Sequence, residues 1–177
     1  MIEYWKANDF CVLKEKLMPV QIKVQNRIGN AEELLNEKEA CISFSPDHCA
    51  EFQQKGAFVV LDFGKELCGG IRIVARNAEG IANFRITFGE SLTEALSSIG
   101  EKNATNNHSP RDFQIEVPTL SDLTYGQTGF RFVRIELLSE NPVTIRNIFA
   151  ISTLPYFEKE AVIKTSDKQL NKIIETA

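Results

Sequence analysis

Residues 60–80 read VLDFGKELCGGIRIVARNAEG, and three incompatible structures are compatible with parts of that stretch. Asp62-Phe63-Gly64 matches the metal-holding tripeptide of a kinase, Gly64 with Gly69 and Gly70 suggests a phosphate cradle, and the apolar alternation around the paired glycine suggests a β-hairpin. A kinase needs a His-Arg-Asp loop upstream, and before that a strand lysine beneath a Gly-x-Gly-x-x-Gly cover. The chain has none of these. A Walker loop needs Gly-Lys-Ser/Thr after its spacer, because the lysine and the hydroxyl hold phosphate and magnesium. After Gly64 the chain offers only Gly69, Gly70 and Ile71. The hairpin remains, with residues 58–63 as a buried strand, residues 71–76 as the next, and the glycines supplying the tight or positive-φ backbone of a turn or bulge.

With 177 residues and 43% hydrophobic content the chain can bury one substantial core, so one domain plus an appendage is expected. A net charge of −4 gives no general attraction to nucleic acid or to an anionic membrane, and neither is expected as a partner. No apolar run approaches the roughly 20 residues that span a bilayer. The opening MIEYWKANDFCVLKEK lacks the basic segment and uninterrupted apolar core of a secretory signal. That places the protein in the cytoplasm if Met1 is the native start, and in the periplasm if a leader precedes it.

Cys11, Cys41, Cys49 and Cys68 are too scattered for a Cys-x-x-Cys metal or redox motif, and reduced thiols are expected. His48 beside Cys49 can be read as a metal pair or an activated thiolate, but adjacent side chains point apart and the chain has only two histidines. A plain loop is the better reading, and no cofactor or metal is expected. The sequons at Asn103 and Asn107 matter only in a secreted chain.

Working outward, short apolar or alternating runs recur: VQIKVQ from Val20, ACISFS from Ala40, AFVVLDF from Ala57, GIRIVAR from Gly70, IANFRITF from Ile81, FQIEV from Phe113, FRFVRIELL from Phe130 and VTIRNIFAIST from Val143. Turn signals separate them, NAEG from Asn77 and SENP from Ser139 among them. Many short strands with few helical patterns predict an all-β, antiparallel sandwich of jelly-roll type over residues 1–160, with 60–88 as a central hairpin system. NAEELLNEK from Asn30 can add one short helix.

In FRFVRIELL one face carries Phe130, Phe132, Arg134 and Glu136, and the other Arg131, Val133, Ile135 and Leu137. Both faces are partly apolar. Either something covers the outside of this strand, or its phenylalanines sit at the edge of the sandwich. Residues 90–111, ESLTEALSSIGEKNATNNHSPR, show no strand pattern and read as a long loop, for which docking on a neighbour is the preferred reading.

Residues 161–177 form a linker and a helix. TSDKQLNKIIETA places Leu170, Ile173, Ile174 and Ala177 at i, i+3, i+4 and i+7, with Ser166 and Gln169 as a capping-box pair. No stop signal follows, so the stripe reads as the entry to a further helical domain. Left alone it would fray, fold back on the sandwich or pair with a second copy.

Taken together, VLDFGKELCGGIRI, FRITFGESLTEA, TGFRFVRIELL and FEKEAVIKTSDKQLNKI resemble the non-catalytic β-sandwich that precedes the helical barrel of bacterial α-L-rhamnosidases, glycoside hydrolase family 78. Residues before about Ala40 carry little of the likeness. It implies that the chain is the N-terminal part of an enzyme whose (α/α)6 barrel cleaves terminal α-linked L-rhamnose with inversion. It also implies that the barrel is the sandwich's partner, with Leu170, Ile173, Ile174, Phe130 and Phe132 as candidate interface residues.

Inversion needs two carboxyls set apart to admit a water. In the family both belong to the barrel, so no catalytic residue is assigned here. Asp62 and Glu90 are the local pair at strand ends, where acids commonly accept hydrogen bonds from exposed backbone N–H groups. A calcium site built from them lacks the dense Asp/Asn spacing of a calcium loop. Carbohydrate is the second candidate partner, since sandwiches often carry sugars on an aromatic face. Trp5, Tyr4, Tyr125 and Tyr156 are the available rings outside the phenylalanine-rich strand patterns.

Overall fold

The chain does not turn at Gly69-Gly70: residues Phe58–Arg76 form one continuous strand. The computed structural model describes residues 2–7, 10–38, 41–42, 45, 47–76, 80–102, 104, 108–155 and 163–176. In chain order the strands are β1 (Ile2–Ala7), β2 (Phe10–Leu17), β3 (Gln21–Asn26), β4 (Ile28–Gly29), β5 (Ala50–Phe52), β6 (Phe58–Arg76), β7 (Ala82–Gly89), β8 (Asp112–Val117), β9 (Ser121–Leu137) and β10 (Val143–Pro155). Two helices, α1 (Leu92–Leu96) and α2 (Lys168–Thr176), and two 3-10 turns, Ala31–Leu34 and Ser109–Arg111, complete the order among the described residues.

All pairing is antiparallel, in the order β1-β2-β10-β6-β9-β7-β8, with β3 on β6 and the short β4–β5 pair on β10. The two long strands serve both layers of the sandwich. The first part of β6 lies between β3 and the end of β9, with Val59 opposite Gln25 and Ile135. Its second part lies between β10 and the start of β9, with Ile73 opposite Ile148 and Leu123. Between these parts the β6–β9 ladder breaks register twice, from Asp62 to Leu67 and from Gly69 to Ile71. The ribbon thereby crosses from one layer to the other.

Glycine makes the crossing sterically feasible. Gly64 and Gly126 sit at φ +79° and +80°, a left-handed conformation that side-chain-bearing residues rarely adopt. At Gly70 a Cβ would lie 2.2 Å from the carbonyl oxygen of Gly126. The paired glycine is therefore a close-approach signal rather than a turn signal, a meaning that glycine also carries inside strands.

The core follows from period-two alternation. Val59, Leu61 and Phe63 on the first part of β6 and Ile71, Ile73 and Ala75 on the second face inward, with Phe84, Ile86 and Phe88 of β7, Val133, Ile135 and Leu137 of β9, and Ile145, Ile148 and Ala150 of β10. Phe52 of one layer meets Phe84 of the other edge-on at 5.3 Å between centroids. At the crossover Phe130 packs against Phe63 at 5.7 Å and Phe88 at 4.7 Å. Each such ring contributes roughly 1.5–3 kcal/mol by leaving water.

Several sequence expectations change. The N-terminal residues pair as the β1–β2 hairpin, and β2 extends the sheet by pairing with β10. Of the ACISFS run, Cys41, Ile42 and Ser45 are described, and none lies in a strand. The expected helix at Asn30 is the 3-10 turn Ala31–Leu34, entered by Asn30 in the left-handed region. The described residues of the 90–111 stretch hold α1 and the second 3-10 turn, and α1 docks on this chain's own sheet through Leu92 and Ala95. Asn77 of the NAEG signal, Asn103 and Asn107 of the sequons, and Tyr156 lie outside the described residues.

Candidate functional site

The crossover gathers the chain's strongest charges. Asp62, at the first register break, is 3% exposed. Arg131 grips it with two bonds, Nε to Oδ1 at 2.8 Å and NH2 to Oδ2 at 3.1 Å, and the Gly64 backbone N–H donates to Oδ1 at 2.7 Å. The Arg131 guanidinium holds the Asp62 carboxyl below the ordinary aspartate range; burial opposes this, and the Gly64 N–H adds to it. Both oxygens are occupied, so Asp62 is an ionised strut, as expected of strand-end acids. Because its folded value is depressed, its stabilisation is present above the ordinary aspartate value and is lost as the pH falls through the folded one. Asp62→Asn is expected to lower the melting temperature at neutral pH by a few degrees and to flatten the acid side of a melting-versus-pH curve. An unchanged acid limb would show that the strut is not what acid breaks.

Beside the strut lie three glutamates. Glu94, 1% exposed on α1, accepts from the Glu90 N–H at 2.8 Å, while its own N–H donates to Ser91 Oγ at 3.2 Å. This is close to a capping box, with the glutamate reaching the residue before the cap. Arg111, 2% exposed, donates from NH1 to the carbonyls of Glu94 at 2.9 Å and Ser97 at 3.1 Å, and its Nε lies 3.9 Å from Glu94 Oε1. Glu66 and Glu90 converge over Gly129: a Cβ there would lie 3.8 Å from Oε1 of each. Burial first, then the charges of Glu90 and Glu94, push the Glu66 carboxyl above the ordinary glutamate range, against the pull of Arg131.

Sequence reasoning marked Asp62 and Glu90 but missed Glu66, Glu94, Arg111 and Arg131. Ser91-x-x-Glu94 within ESLTEA was a legible capping signal for α1. Nothing in the sequence ties Arg131 to Asp62, 69 residues away.

The interface candidates separate. Phe130 is fully buried in the main core, and Phe132, 7% exposed, packs with Val60 and Ala95 beneath α1. The register break places these two rings on opposite faces, so they do not share one as simple alternation predicts. The outside of the strand is covered, by this chain's own helix. Leu170 and Ile173 of α2 are 43% and 59% exposed, and Ile174 is half-buried. Asp167, not Ser166, caps α2, its Oδ1 accepting from the N–H groups of Gln169 at 2.8 Å and Leu170 at 3.2 Å. Asn171 braces this end by bonding Thr165 in both directions.

Elsewhere, His48 is exposed in a left-handed turn and its neighbour Cys49 is buried, with burial pushing the thiol up. Among the described residues no cluster of histidine, cysteine and acids could hold a metal. Cys41, Cys49 and Cys68 carry free thiols. Tyr125 is half-buried and donates its hydroxyl proton to the Glu116 carbonyl at 2.8 Å.

No protein-family model matches the chain, and no curated protein matches it. Solved structures do share its fold. A rhamnosidase from Klebsiella oxytoca with rhamnose bound superposes with a TM-score of 0.61 at 17% identity, covering 92% of this chain and 33% of that one. A family 78 rhamnosidase of Bacillus sp. GL1 gives 0.54 at 15%, covering 80% of this chain and 14% of that one. A fucose-binding module from Streptococcus pneumoniae gives 0.50 at 13%, covering 83% and 99%. This chain thus spans about a third of the Klebsiella rhamnosidase. The fold implied by the motif resemblance is borne out: the chain is an antiparallel β-sandwich of the kind contained in family 78 rhamnosidases.

Proposed function

We propose that the chain is a non-catalytic accessory domain of a rhamnosidase-like glycoside hydrolase, packing on and supporting a catalytic helical barrel. The observation that carries this reading is the extent of the likeness: 92% of the chain follows the Klebsiella rhamnosidase at a TM-score of 0.61, against 83% and 0.50 for the fucose-binding module. The local chemistry agrees. An inverting glycosidase needs one carboxyl free to protonate the leaving group and another free to activate water, whereas Asp62 is tied down by Arg131 and Gly64. The exposed Leu170 and Ile173 of α2 supply an apolar stripe suited to a barrel. The purified chain is expected not to hydrolyse aryl α-L-rhamnosides at any pH. Turnover that disappears in Asp62→Asn or Glu90→Gln would overturn this.

A sugar-binding module is the second reading, favoured by the likeness to 99% of the fucose-binding module. Sugar sites ordinarily offer an aromatic face, and Tyr125, the candidate ring whose side chain is described, is half-buried with its hydroxyl bonded to the Glu116 carbonyl. Titration calorimetry with rhamnose separates the two readings. The accessory role expects no saturable heat at millimolar sugar, and stoichiometric saturation would transfer the assignment to the binding module.

A further inference from the structure

We propose that the first part of β9, residues 121–125, is the edge through which two copies of this chain pair, antiparallel and centred on Leu123, so that one layer of each sandwich continues into the other. This goes beyond the accessory role and does not depend on it. In this stretch β9 is paired on one side: Ser121 to Tyr125 lie opposite Ala75 to Ile71 of β6, and β7 takes β9 only from Phe132 onward. Among the described residues, the layer of β1, β2, β10 and the second part of β6 therefore ends here. The outer row of backbone N–H and C=O groups is a template for a further strand, which chains ordinarily blunt with a bulge, a proline or a free charge. The other free edges are blunted in this way. β3 is bulged between Ile22 and Val24, with Lys23 exposed at the bulge. β8 carries the exposed Glu116, whose carbonyl is already taken by the Tyr125 hydroxyl. β1 has Glu3 and Lys6 in its sequence, and β4 is two residues long. Residues 121–125 contain no proline and no register shift. Their one charge, Asp122, is taken by Arg72 with two bonds, Nε to Oδ1 at 2.5 Å and NH2 to Oδ2 at 2.6 Å. Leu123 stands 42% exposed in their middle.

The residues themselves select the occupant and the register. Successive side chains alternate between faces, so two identical antiparallel strands related by a two-fold axis across the sheet must centre on one residue. With Leu123 at the centre, Leu123 meets Leu123, Ser121 meets Tyr125, and Asp122 meets Thr124. No like charges stand opposite one another, and the one carboxylate faces a hydroxyl that can donate to it. Centring on Asp122 would set two carboxylates directly opposite. Centring on Thr124 would bring Gly126 opposite Asp122, and Gly126 leaves strand geometry at φ +80°. Only the Leu123 register satisfies all five positions, and it covers the exposed leucine with its own copy. One strand pairing buries little surface, so the association is of the transient class.

The test is sedimentation of the whole chain over a wide concentration range, joined to cross-linking at the two-fold position. The chain should pass from monomer to dimer as its concentration rises. Leu123→Lys, which sets two ammonium groups against each other at the axis, should abolish the dimer. Directly opposed residues of an antiparallel pair have Cα atoms about 4.5–5.5 Å apart, within the roughly 4.4–6.8 Å that a disulfide spans. Leu123→Cys should therefore cross-link to its own copy under mild oxidation, a result that does not depend on how well Leu123→Lys folds. Cys68 is an exposed thiol, so the cross-linking is done in a Cys68→Ser background. Gln127→Cys is the control, because Gln127 is also exposed on β9 but lies away from the axis. A chain that stays monomeric at every concentration, a dimer that persists in Leu123→Lys, or a Gln127→Cys chain that cross-links as readily as Leu123→Cys overturns the proposal.

Discussion

Gly70→Ala is expected to cost about 3 kcal/mol, the upper end for forcing an atom into a packed interior, and to lower the melting temperature of a chain of this length by about 6–12 °C. The new Cβ would lie 2.2 Å from the Gly126 oxygen and 2.5 Å from the Tyr125 oxygen. These are backbone atoms of the neighbouring strand, not the far ends of flexible side chains. On the other flank a Cβ at Gly69 would lie 2.0 Å from the Ile151 oxygen of β10. The ribbon is thus pressed between β9 and β10 where it changes layer, and relief requires parting the ladder. Gly56→Ala is the control: it sits at φ +77° with nothing within 4 Å of its Cβ, so only backbone strain of roughly 1–2 kcal/mol is expected. Thermal and urea denaturation of both variants decide the matter. A Gly70→Ala melting temperature at or above that of Gly56→Ala would show that the crossing is loose.

The same glycines show what the sequence could and could not convey. The apolar periodicity of β3, β7, β8, β10 and the end of β9 was legible because each strand buries one face, and a period of two follows directly from that. Periodicity does not say whether two runs separated by glycines are two strands or one that bends, because turn, bulge and close approach all call for glycine. Only the positions of the Gly126 and Ile151 carbonyls decide it. The displacement of Phe132 away from the Phe130 face has the same origin, since a register break resets alternation without leaving a mark in the residues themselves. The acids at the strand ends were visible, and their partners were not. Arg131 reaches Asp62 through the pairing of β6 with β9, and Arg111 reaches α1 through a loop whose composition reads as polar filler. Short-range signals fared better where they were read closely. Asp167 stands next to Ser166, and the helix selects the residue whose oxygen reaches the free N–H groups.

Arg111→Met is expected to be the most damaging single change at a polar residue, costing about 3–5 kcal/mol. Arg111 closes the C-terminal end of α1, donating to the Ser97 carbonyl and to the Glu94 carbonyl, which also accepts from the Ser97 N–H, and it sets a positive charge beside the buried Glu94 carboxylate. Methionine fills the volume and supplies neither. Arg111→Lys should recover part of the loss, because both carbonyls are held by the single nitrogen NH1 and an ammonium keeps a multi-proton donor and a positive charge there. Glu94→Gln added to Arg111→Met should recover part of the loss by removing the unpaired charge, while the Ser97 carbonyl stays unsatisfied. Urea denaturation of the single and double variants measures this coupling. Strictly additive costs would mean that the guanidinium and the carboxylate do not sense each other across 3.9 Å. The location of the damage carries further information, because α1 covers Val60 and Phe132 on the outer face and lies outside the main core. If amide protection is lost over residues 91–97 while β6 and β9 stay protected, α1 is a separately stabilised cover. If all are lost together, the cover and the crossover form one cooperative unit.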